Sequence, residues 1–249
     1  MHAITNIAAY RFVAIDSPES VAQNLHACAK RNALLGTILV APEGLNLFLA
    51  GAAAAIADFL AELRHDARFA PMRIKSSASQ AQPFARLKVK VKPEIIPFSR
   101  GVQVPMAPDS VVAPTTLRRW IAQGHDDQGR RLALLDTRNR EETAYGTFAG
   151  AITLPIDRFV DLPEALAPLR RDLADATVVS FCTGGVRCEK LLPWLHADGM
   201  PNVMQLDGGI LGYFEEVGAE GYAGDCFVFD ARVAVDPQLR PLSERQSGA

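Results

Sequence analysis

The sequence holds too few cysteines for a disulfide-built fold: Cys28, Cys182, Cys188 and Cys226 are the only ones in 249 residues, and they lack the paired spacing of a zinc site. Such usage fits a reducing compartment, and a cytoplasmic location is expected. An excess of one charge is also missing, with 26 lysines and arginines against 28 aspartates and glutamates. Bulk attraction to nucleic acid is thereby excluded, so any such contact must come from a local patch. No cationic start leads into an apolar core and cleavage site, so no secretory signal is expected. The apolar stretch from Leu45 to Leu60 is interrupted by Asn46, Gly51 and Asp58 and reads as a strand and a helix, so no membrane partner is expected. His2, His26, His65, His125 and His196 are scattered. They form no facial triad, there is no dinucleotide fingerprint, and neither a metal nor a flavin is identifiable.

What is present centres on one stretch. Thr177 to Phe181 is β-branched and apolar without alternation, as expected of a central parallel strand buried on both faces. It runs into Cys182, then Thr183, Gly184, Gly185, Val186, Arg187 and Cys188, where a helix is expected to start. The two glycines permit a curled loop with its amide N–H groups turned inward. The helix adds unpaired N–H groups and the positive end of its dipole. Such a cradle stabilises an anion, here a thiolate or persulfide on Cys182, and Arg187 adds a permanent positive charge. The spacing is Cys-x4-Arg, one residue shorter than a cysteine-phosphatase loop, and the smaller ring suits one sulfur atom rather than a phosphoryl group. Cys188 falls in the first helical turn, where it either packs as a small apolar side chain or resolves an oxidised Cys182.

The chain is expected to divide into residues 1–92, a ferredoxin-like α+β domain; 93–114, a linker; 115–222, a doubly wound α/β domain with a parallel sheet; and 223–249, a late strand and a disordered tail from Pro237. The first domain follows from the order β-α-β-β-α-β. Its first helix is read as running from Ser17-Pro18, with Ser17 as N-cap, to about Leu35, where Gly36 stops it. Its last strand is read as beginning at Met72 to Lys75 and continuing through Phe84 to Val91. Pro93, Pro97, Gly101, Pro105, Pro108 and Pro114 mark the linker. In the second domain Asp136 and Arg138 lie at the carboxyl end of a predicted strand, where open α/β sheets keep functional groups. Arg138 either pairs with Glu142 and stiffens the site wall or contacts the substrate directly. Pro193 should kink or break the helix after the loop.

Arg86-Leu87-Lys88-Val89-Lys90-Val91-Lys92 alternates strictly. As a strand it puts Arg86, Lys88, Lys90 and Lys92 on one face, about 6.8 Å apart, a spacing comparable to that of phosphates along a nucleic-acid strand. Such a ribbon either follows an RNA backbone or protects a sheet edge from aggregation.

The Cys182–Lys190 loop, Asp136-Thr137-Arg138-Asn139, Glu142, Gly146-Thr147-Phe148, Gly150-Ala151-Ile152 and Gly208-Gly209-Ile210 together resemble a rhodanese domain over roughly 115–218. With Pro42-Glu43-Gly44-Leu45-Asn46, the basic ribbon and Phe227-Val228-Phe229-Asp230 added, the chain resembles the rhodanese-related bacterial tRNA wobble-uridine hydroxylases over nearly its whole length. The resemblance implies formation of 5-hydroxyuridine in the tRNA anticodon with molecular oxygen as co-substrate, and Cys182 as the key residue. No protein partner is identifiable. Some members of that family carry a cysteine-rich C-terminal extension; this sequence has none, and no zinc is expected. The residues alone also fit a sulfurtransferase carrying a persulfide on Cys182, and a non-enzymatic module in which Cys182 is dispensable.

Overall fold

The structure, a computed structural model, describes residues 3–100 and 110–243. Its contacts divide into two units. The first comprises residues up to Pro97 together with Phe229–Arg232, and the second comprises Phe98–Val228 and Val233–Leu242.

The first unit runs β1 (Ile4–Phe12), α1 (Pro18–Arg31), β2 (Leu35–Ala41), β3 (Gly44–Gly51), α2 (Ala53–His65), β4 (Ile74–Ser79) and β5 (Leu87–Val91). The strands form one sheet in the order β4-β1-β3-β2-β5, antiparallel except for β5 beside β2. Both helices cover the core with apolar stripes. Ala22, Leu25, Cys28 and Ala29 of α1 and Ile56, Phe59 and Leu63 of α2 pack with Ile38, Leu45, Leu47 and Leu49 of the sheet. Each such leucine or isoleucine contributes about 1.5–3 kcal/mol by leaving water.

Three local expectations change. The extended region after Met72 is two strands on opposite edges of the sheet, because Pro83 and the turn at Ser79, whose hydroxyl bonds Ala81 O at 2.8 Å, end β4 before β5 begins. The first helix ends at Arg31, and Gly36 lies inside β2. A Cβ on Gly36 would stand 2.0 Å from the Phe48 carbonyl oxygen at φ +138°, so the strand pairing, not a helix stop, requires glycine. Ser17 precedes α1 but makes no side-chain cap; Pro18 at the first helical position marks the start.

The second unit runs β6 (Val111–Val112), α3 (Pro114–Gln123), β7 (Leu132–Asp136), α4 (Arg140–Thr143), β8 (Gly146–Phe148), β9 (Ile152–Thr153), α5 (Leu162–Leu166), α6 (Arg170–Leu173), β10 (Thr177–Phe181), α7 (Val186–Ala197), β11 (Val203–Leu206), α8 (Gly209–Glu216), β12 (Tyr222–Gly224), β13 (Cys226–Phe227) and β14 (Ala234–Val235). Its main sheet is wholly parallel, in the order β6-β11-β10-β7-β9. Phe148 is the hub beneath the sheet's carboxyl end: its ring meets Phe181 at 4.9 Å, Tyr213 at 4.8 Å and Tyr222 at 5.1 Å, all edge to face.

The proline-rich stretch is not a free linker where it is described. Ile95 and Phe98 are buried, Ile95 N–H donates to Glu43 at 2.8 Å, and Phe98 stacks on Phe159 at 5.1 Å. Apolar side chains at those two positions give the stretch something to bury, which its proline spacing conceals. Gly101, Pro105 and Pro108 lie outside the described residues.

The segment after Pro237 is ordered as far as it is described. Buried Asp236 accepts the amides of Gln238 and Arg240 at 3.0 and 2.8 Å, and Leu239 packs on the core. The helix after the loop is continuous through Pro193. The C-terminal segment Phe229–Arg232 belongs to the first unit. Ala231 N–H donates to Pro83 O at 3.1 Å, and Arg232 donates to Ser77 Oγ at 2.7 Å. Among the described residues no helix is long and apolar enough to cross a membrane.

Phe148→Ala should lower stability by about 3–5 kcal/mol, because it removes a fully buried ring touching three others. Urea unfolding followed by tryptophan fluorescence checks this; a midpoint like that of the wild type would show that the cluster is not the hub.

Candidate active site

The site begins with strand placement. β10 lies between β7 and β11, every residue of it is buried, and Cys182 follows at its carboxyl end. Cys182 itself is 1% exposed. Gly185, at φ +100°, turns its N–H onto Cys182 Sγ at 3.1 Å and opens α7, whose amino-terminal dipole then faces the sulfur. The loop's carbonyls accept bonds from α8: Ile210 N–H donates to Cys182 O at 2.9 Å and Leu211 N–H to Thr183 O at 3.0 Å. Gly209 makes that docking possible. At φ +62°, a Cβ there would lie 2.4 Å from Cys182 O and 2.8 Å from Gly185 N. Gly184 faces open space, where an added Cβ would meet nothing within 4 Å.

Burial is the largest single influence on the Cys182 thiol and pushes its pKa up, but other groups outweigh it. A hydrogen bond from the Cys188 thiol, the Arg187 charge and the amides of Arg187 and Gly185 bring it down to about 6. Cys188 moves the other way. Burial and the neighbouring Cys182 anion hold it well above the usual thiol range, although Thr137 and Ser180 work against them. Cys188 is buried, as a packing role requires, and also acts on the ionisation of Cys182. Cys226 is pushed up to about 12 by burial, and Cys28, in the first unit's core, to about 11 for the same reason.

The wall is wired differently from expectation. Glu142 pairs with Arg187, accepting Nη1 at 2.8 Å and Nη2 at 2.7 Å, while Arg138 pairs with Asp136 at 2.6–3.2 Å. Local geometry decides this. Asp136 and Arg138 flank one turn whose own amide already bonds Asp136 Oδ1, so the Arg138 fork closes on the nearer carboxylate. Glu142, in the one-turn α4, also accepts Asn139 N–H at 3.1 Å and is aimed at the loop. Arg138 further donates to Gly146 O at 2.6 Å, and Thr147 donates to Asp136 at 2.8 Å. All four charged side chains are nearly inaccessible, at 8% or less. Removing one partner of such a pair typically costs about 3–5 kcal/mol.

Cys182 to Cys188 thus form one loop in which the amides of Gly185 and Arg187 act on the sulfur, Glu142 is bonded to Arg187, and Asp136 is bonded to Arg138. Arg86, Lys88, Lys90 and Lys92 belong to the other unit. There β5 is an edge strand. Lys88 and Lys90 are exposed, Leu87 and Val89 pack on the core, and Val91, expected on the apolar face, is 39% exposed. A groove of about 560 Å³ between α1 and β5 is lined by Gln23, His26 and the residues from Arg86 to Lys90. Sequence reasoning did not assign site roles to Thr137, whose hydroxyl lies 3.5 Å from Cys188 Sγ, or to Gly209. The signals for Gly209 were the Gly-Gly pair before a helix and its place in the Gly208-Gly209-Ile210 motif of the rhodanese resemblance. Among the described residues no group of three or more His, Cys, Asp or Glu side chains could hold a metal ion.

Residues 4–95 match the family model of the UPF0176 acylphosphatase-like domain, and residues 114–216 match the rhodanese-like domain. A relative from Xanthomonas campestris, named tRNA uridine(34) hydroxylase, is 64% identical over 97% of this chain and 96% of its own. Relatives of the same name from Xanthomonas oryzae and Xylella fastidiosa are 61% and 59% identical, over 99% and 96% of this chain and 98% and 93% of theirs. A solved Saccharomyces cerevisiae homologue of single-domain rhodanese aligns with TM-score 0.37 and 20% identity over 46% of this chain and 87% of its own.

A thiol whose pKa is lowered is a nucleophile above the new value and loses reactivity as pH falls through it. Iodoacetamide labelling of Cys182, followed by peptide mass spectrometry, should therefore have its midpoint near pH 6. Cys188→Ala removes the thiol donor and should raise that midpoint by about 1 unit. An unmoved midpoint would show that the thiol–thiol contact does not set the charge.

Proposed function

The chain belongs to the tRNA uridine(34) hydroxylase family, and we propose that it hydroxylates the wobble uridine of tRNA to 5-hydroxyuridine with molecular oxygen as co-substrate. The observation that carries this reading is family identity over essentially the full chain, which includes both units and not the cysteine domain alone. The site chemistry supports it. Cys182 is held as a single anionic sulfur at a strand end, beside a loop whose Gly184 faces open space. In this reading Cys182 is the catalytic thiol. The amides of Gly185 and Arg187 hold its charge, Arg187 is fixed by Glu142, and Asp136 with Arg138 stiffens the wall. The first unit contributes RNA affinity through Arg86, Lys88, Lys90 and Lys92, whose exposed cationic row suits successive phosphates. The enzyme acts in the cytoplasm, where its tRNA substrate is.

Nucleoside mass spectrometry of tRNA tests the activity in cells lacking this gene and any parallel route to the same nucleoside. Wild-type protein should restore 5-hydroxyuridine, and Cys182→Ser should restore none. Equal, wild-type-independent levels would overturn the reading and leave sulfur transfer from Cys182 as the activity to assay. For the RNA surface, Lys88→Glu with Lys90→Glu should weaken tRNA binding about tenfold or more near 0.1 M salt and make the log–log salt dependence shallower by about 1–2. Unchanged binding would assign the two lysines to edge protection instead.

A further inference from the structure

Hydroxylation of a uridine C5–H by molecular oxygen, the reaction proposed above and the premise here, does not balance on its own. Oxygen takes up four electrons on going to one hydroxyl and one water, and the uridine carbon gives two. A reductant must give the other two. We propose that Cys182 and Cys188 supply them together, closing a disulfide in each turnover.

Three observations converge on this pair. All four cysteines are free thiols. Cys182 and Cys188, 1% and 0% exposed, are buried at the two ends of the glycine loop, and the Thr137 hydroxyl that lies 3.5 Å from Cys188 Sγ also donates to Phe181 O, next to Cys182, at 3.0 Å. Each thiol acts on the other's ionisation. Cys28 sits in the other unit, and Cys226 Sγ is directed to Phe227 O at 3.7 Å. Cys188 is also surrounded more polarly than packing requires. The Thr137 hydroxyl lies 3.5 Å from its sulfur, and Ser180 is close enough to act on its ionisation. Such hydroxyls can steady a sulfur that changes charge and bonding. Finally, the proton is already unevenly divided: Cys182 carries the anion and Cys188 the hydrogen, the arrangement from which one sulfur attacks and the other follows.

The balance is then complete. Uridine C5–H, one oxygen molecule, the Cys182 thiolate, the Cys188 thiol and one proton from water become uridine C5–OH, one water and one disulfide. The C–H, O–O and Cys188 S–H bonds break, and the C–O, S–S and new O–H bonds form. The C5 hydrogen, the Cys188 hydrogen and the proton from water end in the hydroxyl and the water. A small external thiol returns the pair to the reduced state by thiol–disulfide exchange. The loop between the two sulfurs contains Gly185, at φ +100°, and Gly184, where an added Cβ would meet nothing within 4 Å.

The test is a single-turnover experiment on the full chain. Wild-type protein is reduced, freed of reductant without air, mixed with excess unmodified tRNA and then exposed to oxygen. The expected result is one 5-hydroxyuridine per chain at most, matched by the loss of two thiols and a linked Cys182–Cys188 peptide. Dithiothreitol should convert this into many turnovers. Cys188→Ser, with Cys182 still alkylated as in the wild type, should form 5-hydroxyuridine at least about tenfold more slowly even with dithiothreitol. Product beyond one equivalent without reductant, or product with all four thiols intact, would overturn the inference while leaving the hydroxylase reading standing. No product from wild-type protein with both oxygen and dithiothreitol would sink the hydroxylase reading, and this inference with it. If Cys188→Ser fails to fold, the wild-type thiol count decides alone.

Discussion

One constraint governs the second unit: a sulfur anion has to persist where water scarcely reaches. Burial alone would protonate the thiol, and the structure counters it with several modest contributions rather than one ion pair. The main-chain amides of Gly185 and Arg187 are fixed dipoles and need no reorganisation when charge appears. Arg187 supplies full charge, yet it is itself buried and would be costly without Glu142. Glu142 in turn is held by the Asn139 amide at the start of α4. The chain of dependence thus runs from the thiol outward through three elements.

The same constraint explains the aromatic and glycine-rich surroundings. An amide cradle works only if its carbonyls point elsewhere, and α8 takes them through Ile210 and Leu211. That requires two backbones to approach without side chains between them, which Gly209 provides. α8 must also be held firmly, and Tyr213 on α8 meets the Phe148 ring that also supports Phe181, the residue just before Cys182. Packing beneath the sheet and electrostatics above it are therefore one device.

Much of this was legible in sequence, for a physical reason. The strand, thiol, glycines, arginine and helix start are contiguous, so local backbone chemistry alone brings them together. The order of elements in the first unit and the alternation of Lys88 and Lys90 with Leu87 and Val89 are likewise local patterns. What escaped was the choice among distant partners. Two arginines and two carboxylates near the loop allow more than one pairing, and Glu142 finds Arg187 45 positions away only once α4 is placed. Likewise, Gly36 looked like a helix stop because a sequence cannot display the Phe48 carbonyl that crowds it. Proline spacing concealed the burial of Ile95 and Phe98, and polar composition after Pro237 concealed the turn built on Asp236.

The return of Phe229–Arg232 to the first unit carries a consequence for synthesis. Ala231 and Arg232 bond to Pro83 and Ser77, more than 140 positions earlier, and the Arg232 guanidinium is clamped by Asp230 at 2.6–2.8 Å. On a ribosome the amino-terminal sheet emerges long before this strap exists. Its assembly therefore waits for residues 229–232, and a nascent chain stalled within the cysteine domain would hold a first unit still lacking these hydrogen bonds.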